Sequence, residues 1–391
     1  MAAANYLTRV QLDPPPRGWT ELTGRLRREP DSPIAKALSN PLTLTLIRDT
    51  YRSGDDIREF LDYCDAVGDV SGEDVQDHLL DRVLPAAYTS APGEVSLYGL
   101  EVARRTLSYI AARMSQQGTR DLSWWRLPAW VPAAPRVIVT GAVFGLMFGL
   151  GAHNPVFGLV GGAVFAYFYL LGDRRKPPAR RAPLRWRHLL SRNSLVPGIV
   201  YALTGGIMCA VFGLAIRVGA GQIAALAVGV GIGAGLAGAL AVGLSRSTAD
   251  DASPLTPRVS WRRDQAFGLA VGLMLGLGLC LGVGLGLGLT FAFALESAVP
   301  TPAQVTGLVL VFVWLLVFGL VFGLVFPRTW TVSLTFAQLA LRWHTPVRLL
   351  RFLEDARQRD VLRTIGPVYQ FRHARLQDHL ALQATPKLRQ P

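Results

Sequence analysis

Four long stretches of this chain carry no charged side chain: Leu195–Ile216, Ile223–Leu244, Gln265–Leu295 and Gln304–Phe326. Each has roughly the 20 residues or more that a helix needs to cross about 30 Å of hydrocarbon. Buried helices of soluble domains rarely run so long without a charge. Nothing alternates apolar and polar with a period of two, so a β-barrel is not expected. Half of the 391 residues are apolar, 40 are Gly and only 17% are charged, which is unlike both an ordinary soluble domain and a disordered chain.

The run from Val137 to Gly172 is too long for one span, about 54 Å as a continuous helix. His153-Asn154-Pro155 at its centre breaks it into two short spans, near 137–152 and 155–172. The reading is an all-α, polytopic membrane protein with about six transmembrane helices in three hairpins. Its tight turns fall near His153–Pro155, Arg217–Gln222 and Glu296–Ala303. Cytoplasmic helical and winged-helix-like segments flank it, giving domains at 1–130, 137–326 and 327–391.

Loop charge supports that topology. Loop 173–194 holds eight Lys/Arg, from Arg174 to Arg192, and four each lie in loop 245–264 and just after the last span. The three opposite turns hold only Arg217. Basic loops stay inside, so both termini are placed in the cytoplasm, at the cell membrane. Trp124, Trp125 and Trp130 suit an interfacial belt before the first span.

The net charge of +13 is not a nucleic-acid footprint. Residues 1–100 hold 10 Lys/Arg against 16 Asp/Glu, and 327–391 hold 11 against 4. Basic clusters beside a membrane follow from orientation and anionic lipid. Cys64, Cys209 and Cys280 are scattered and show no metal-ligand spacing, and no metal site is expected.

Gly recurs at four-residue spacing: Gly141, Gly145 and Gly149; Gly229 and Gly233; Gly268, Gly272 and Gly276; Gly278, Gly282 and Gly286; Gly319 and Gly323. Such rows let helix backbones approach closely, within one chain or between copies in self-association. No Asp, Glu, Lys or Arg lies inside the spans, which disfavours an ion-coupled transporter.

Outside the membrane, Ser71 and Asp74 form a capping-box pattern ahead of a stripe at Val75, Leu79, Val83 and Ala87. A second helix is expected near Val102–Met114. Pro346–Ile365 reads as an amphipathic helix stopped by Gly366-Pro367, followed by a short strand Val368–Phe371 and a helix His373–Gln383.

Two segments carry a resemblance. NPLTLTLIRDTYR (Asn40–Arg52) resembles the helical region after the nucleotide-binding core of NACHT proteins, signal-transduction ATPases of the STAND class. VYQFRHARLQDHLA (Val368–Ala381) resembles the family's winged-helix signature. The chain is similar to actinobacterial NACHT proteins in which Gly-rich membrane helices interrupt this region, over about 1–130 and 327–385. The resemblance implies that Pro41 would pack on adenine and His373 would reach the β-phosphate of ADP.

There is no GxxxxGK[ST] phosphate loop, and the chain has only three Lys, Lys36, Lys176 and Lys387. The expectation is therefore the C-terminal part of a NACHT protein from a truncated or split frame, not an enzyme by itself. ATP or ADP would enter only in an intact assembly with a separate ATPase core, and no catalytic residue is assigned. The expected partners are the bilayer, such a core and further copies of the chain, and no nucleic acid. The competing reading is a small membrane channel or permease with cytoplasmic tails. If the two motifs form one regulatory unit, the ends must fold together.

Overall fold

The computed structural model describes residues 2–9, 17–51, 56–67, 71–89, 97–171, short pieces between 196 and 210, 220–245, 256–294 and 301–384. The protein is mostly helical and divides into two compact units. One combines Met1–Ser123 with Phe336–Pro391, and the other is Trp124–Thr335.

The first unit is built from both ends of the chain. Its N-terminal part runs through α1 (Ala2–Arg9), α2 (Arg17–Arg28), α3 (Pro33–Ala37), α4 (Pro41–Thr50), α5 (Arg58–Val67), α6 (Gly72–Tyr88) and α7 (Leu100–Gln116). The Ser71 side chain accepts from the Asp74 amide and Asp74 reaches back to the Ser71 amide, so the expected capping box starts α6. In α7, Ala103, Leu107, Ile110 and Met114 are buried along one face. The helix stops where Gly118 takes φ +60° and the Thr119 and Gly118 amides return to Met114 and Ser115. Only Gly reaches that backbone region without a Cβ penalty.

The C-terminal part contributes the end of α13 (Arg328–Trp343), then α14 (Leu349–Gln358), β1 (Leu362–Ile365), β2 (Val368–Phe371) and α15 (Ala374–Gln383). The boundary between the units falls inside α13. The helix expected over Pro346–Ile365 is shorter than its sequence suggests. Asp360 takes φ +62° and ends it, and Leu362–Ile365 pairs antiparallel with Val368–Phe371. Gly366-Pro367 is therefore a hairpin turn and not a helix stop. Gly366 supplies the positive φ (+59°) required at the first central position of a type II′ turn.

This hairpin locks the two ends together. Leu122 and Tyr369 exchange backbone hydrogen bonds of 2.8 and 3.1 Å, which adds one residue of the N-terminal part to the edge of β2. Tyr369 is fully buried and its hydroxyl donates to Glu354. Leu376 and Leu380 of α15 are buried where that helix packs against α7. Each such side chain contributes roughly 1.5–3 kcal/mol by leaving water.

The second unit opens with a 3₁₀ helix, Trp124–Trp130, then α8 (Ala134–Gly151) and α9 (Pro155–Leu171), separated where His153 takes φ +49°. The break lies where His-Asn-Pro placed it. Further on come α10 (Ala220–Ser245), α11 (Pro257–Ala294) and α12 (Pro302–Val325). Among the described residues, three helices are long and apolar enough to cross a membrane: Ala134–Gly151, Pro257–Gly288 and Gln304–Val325. These mark a membrane-associated protein. Most of 195–216, the basic loop 173–194 and most of the turns near 217–222 and 296–303 lie outside the described residues.

The Gly rows are consumed inside the unit. α8 packs on α9, α10 on α11 and α11 on α12. A Cβ on Gly145 would lie 3.0 Å from the Gly158 carbonyl, and one on Gly323 would lie 2.7 Å from that of Gly268. Backbones this close leave no room for a side chain. Phe144 stacks on Phe165 with centroids 3.9 Å apart, and Phe148 and Phe318 extend the cluster across α8, α9 and α12. Trp124, Trp125 and Trp130 do not form an exposed belt. All three are buried in protein, Trp124 edge-on to Trp261 at 5.1 Å.

Polar side chains join the helix ends of this unit. Arg136 donates to the Thr335 hydroxyl and the Pro128 carbonyl, both at 2.9 Å. Asp264 accepts from the Thr329 amide at 3.1 Å, so a carboxylate of α11 caps the start of α13.

Candidate functional site

A cleft of about 140 Å³ opens in the first unit, lined by Arg48, Asp49, Val83, Ala87, Arg359, Asp360 and His373. Three local folding events place these side chains. The last turn of α4 presents Arg48 and Asp49. The end of α14 presents Arg359 and Asp360, and the exit from β2 presents Arg372 and His373 just before α15.

Asp49 is the centre of the arrangement. Its carboxylate takes bonds from Arg48 and from Arg372 Nε, both at 3.0 Å, and lies 3.4 Å from His373 Nε2. Burial pushes its carboxyl up. The bonds from His373 and Arg48, with the charge of Arg372, outweigh burial and hold it below the usual carboxylate range. Arg372 also grips Asp360. Arg359 bonds Asp355 at 3.1 Å and the Ala87 carbonyl at 2.7 Å, and lies over the Tyr88 ring. Burial drives the Tyr88 phenol well above its usual value.

Alternating charges that satisfy one another make this an interlock of ion pairs. Among the described residues, no three His, Cys, Asp or Glu side chains are grouped to hold a metal ion. Cys64 is buried in the same unit, and burial raises its thiol to about 11, which keeps it protonated and inert at neutral pH.

No family model matches this chain, and neither the curated proteins nor the solved structures give a match.

The two site residues named from sequence lie apart. Pro41 is exposed at the first position of α4, where Asn40 caps the helix by accepting from the Leu42 amide at 3.0 Å. Asp49 and the cleft sit at the other end of that helix, about 12 Å along its axis. His373 lines the cleft and is the N-cap residue of α15, without a side-chain capping bond. Asp49, Arg48, Arg359 and Arg372 were not singled out by sequence. Arg48-Asp49 lies within the first motif and Arg372-His373 within the second, so the signal was complementary charge inside two distant motifs.

Proposed function

We propose that the chain is the membrane-anchoring, regulatory C-terminal part of a NACHT-type signalling or defence NTPase, with no catalytic activity of its own. One observation carries this reading. The Asp49 carboxylate lies 3.4 Å from His373 although 324 residues separate them, and each belongs to one of the two segments that carry the resemblance. Two tails with unrelated roles have no reason to meet at those motifs.

The finer assignments follow the same reading. Helix α14, the β1–β2 hairpin and α15 have the order of a winged helix, with the hairpin as the wing. Because the two ends share one unit, the chain between them must cross the bilayer an even number of times. That supports six spans over three, with both termini on the cytoplasmic side by the basic loops. Pro41 and His373 would meet adenine and phosphate only when a nucleotide-binding core is supplied.

The coding DNA immediately upstream of Met1 tests the reading, together with the purified chain in liposomes. An in-frame GxxxxGK[ST] upstream, and a chain that neither hydrolyses ATP nor conducts ions, support it. Saturable ATP hydrolysis abolished by one substitution in this chain, or steady ion flux without any upstream phosphate loop, would overturn it. The second outcome would establish the channel instead.

A further inference from the structure

Between Arg328 and Arg351 the sequence holds four arginines and no Asp or Glu. This stretch follows the last apolar helix and forms α13, a corner, and the start of α14. At the corner, His344 takes φ +54° and its amide closes α13 on the Ala340 carbonyl at 3.0 Å. Thr345 turns inward, and Arg348 then caps α14.

The corner leaves both apolar and basic side chains outside. Leu341 is 84% exposed and Val347 65% exposed, and Arg342, His344, Arg348 and Arg351, close to them in sequence, are exposed as well. Several other arginines of the unit are paired with carboxylates: Arg25 with Asp65, Arg120 with Asp378, Arg359 with Asp355 and Arg372 with Asp49. Arg342, Arg348 and Arg351 have no ion-pair partner among the described residues. The Arg342 guanidinium lies over the half-buried Trp343 ring at 5.7 Å, and Trp343 is held from behind by Tyr109, centroids 5.5 Å apart. Large apolar side chains at the surface among unpaired cations, with an indole beside them, match the chemistry of a membrane interface.

We propose that the Leu341–Arg351 corner docks on anionic phospholipid headgroups of the bilayer that the chain's own apolar helices enter. Leu341 and Val347 enter the boundary between headgroups and acyl chains, and Arg342, Arg348 and Arg351 take lipid phosphates. Two facts select lipid over other anionic partners. The corner is tethered to the last apolar helix by α13 alone, 16 residues or about 24 Å of helix. A nucleic acid would also leave Leu341 and Val347 uncovered, since its affinity comes from phosphates. This inference needs only a membrane-inserted chain and stands whether or not the NACHT reading holds.

The test places an environment-sensitive dye on Leu341→Cys in the full chain, with Cys64, Cys209 and Cys280 replaced, reconstituted in lipid nanodiscs. Discs containing phosphatidylglycerol should shift the dye emission to the blue relative to pure phosphatidylcholine discs. The shift should vanish in Arg342→Glu/Arg348→Glu/Arg351→Glu, and in salt near 1 M, where screening acts within about 3 Å. The same dye on Ile365→Cys, half exposed on the hairpin, should report no difference between the discs. These three positions are exposed, and an unchanged melting curve checks that the triple variant is folded. Identical emission at Leu341 in both discs, an equal shift at Ile365, or a shift driven by an oligonucleotide in place of phosphatidylglycerol would each overturn the proposal.

Discussion

Arg120 holds the carboxylate of Asp378 with both terminal nitrogens, at 2.7 and 2.9 Å, across 258 residues of sequence. The pair is the visible seam between the N-terminal and C-terminal parts of the first unit, yet it is half exposed on both sides. Exposed ion pairs are worth about 0.2–1 kcal/mol. Arg120→Ala should therefore lower the melting temperature by only a few degrees. Tyr369→Ala, which empties a fully buried position on the same seam, should cost roughly 3–5 kcal/mol. Thermal unfolding followed by near-ultraviolet circular dichroism ranks the two. Equal losses would mean that charge and not burial joins the ends.

His78 gives the unit a pH dependence of known sign. Its ring stacks on Tyr63, centroids 3.9 Å apart, and its Nε2 is buried without a hydrogen-bond partner. Burial lowers its pKa below the ordinary 6.5, against the opposing charge of Glu59. The unfolded chain then binds the proton more readily, so stability is complete above about pH 6.5 and is lost as pH falls through that value. His78→Phe should flatten the melting temperature between about pH 7 and 5.5. A wild-type curve that rises on acidification contradicts the assignment. The Asp49 carboxylate, also depressed, gives way only lower, as pH falls through the carboxylate range.

The helix packing predicts opposite outcomes for one kind of substitution. A Cβ on Gly158 would lie 2.8 Å from the Gly145 carbonyl and 3.1 Å from the Gly149 Cα, whereas Gly307 has nothing within 4 Å. Gly158→Ala should force α8 and α9 apart at a cost of about 1–3 kcal/mol. Gly307→Ala should be neutral or gain up to about 1 kcal/mol from helix propensity. Unfolding of the detergent-solubilised protein in rising dodecyl sulfate reads both.

Reporter fusions at Lys176, Ser253 and the C-terminus should all report cytoplasm, and insertions near Asn154 and Ser297 the opposite side. A reporter at Lys176 facing outward would remove the six-span reading.

Local signals in the sequence were legible where the physics is local. Ser71 and Asp74 cap a helix within one turn, His153-Asn154-Pro155 breaks one within three residues, and each Gly row shows its four-residue spacing within a single helix. The hairpin was hidden because Leu349, Phe352, Leu353 and Ala356 set a helical rhythm that Val361 and Leu362 continue. Gly-Pro punctuates helix ends and hairpins alike, and only the left-handed Asp360 tells them apart. The Trp124 cluster was misread from composition, since its partner Trp261 lies far along the chain. The Asp49 interlock had no short-range trace at all. Its parts are ordinary surface charges until the two ends meet.

A unit assembled from both ends is also a clock for synthesis. Its first half leaves the ribosome and then waits while about 210 residues of the second unit are made, roughly 10–40 s at ordinary elongation rates. During that interval the buried face of α7 and the edge at Leu122 have no partner. On the proposed six-span topology they gain one only when β2 and α15 emerge on the same side of the bilayer. On that topology, a chain whose last helix fails to insert with the right parity delivers its closing segment to the wrong compartment. It is then left with an open hydrophobic seam, the kind of surface that proteolytic surveillance removes. On that topology, completion of the first unit reports that the helices between its two parts were threaded correctly.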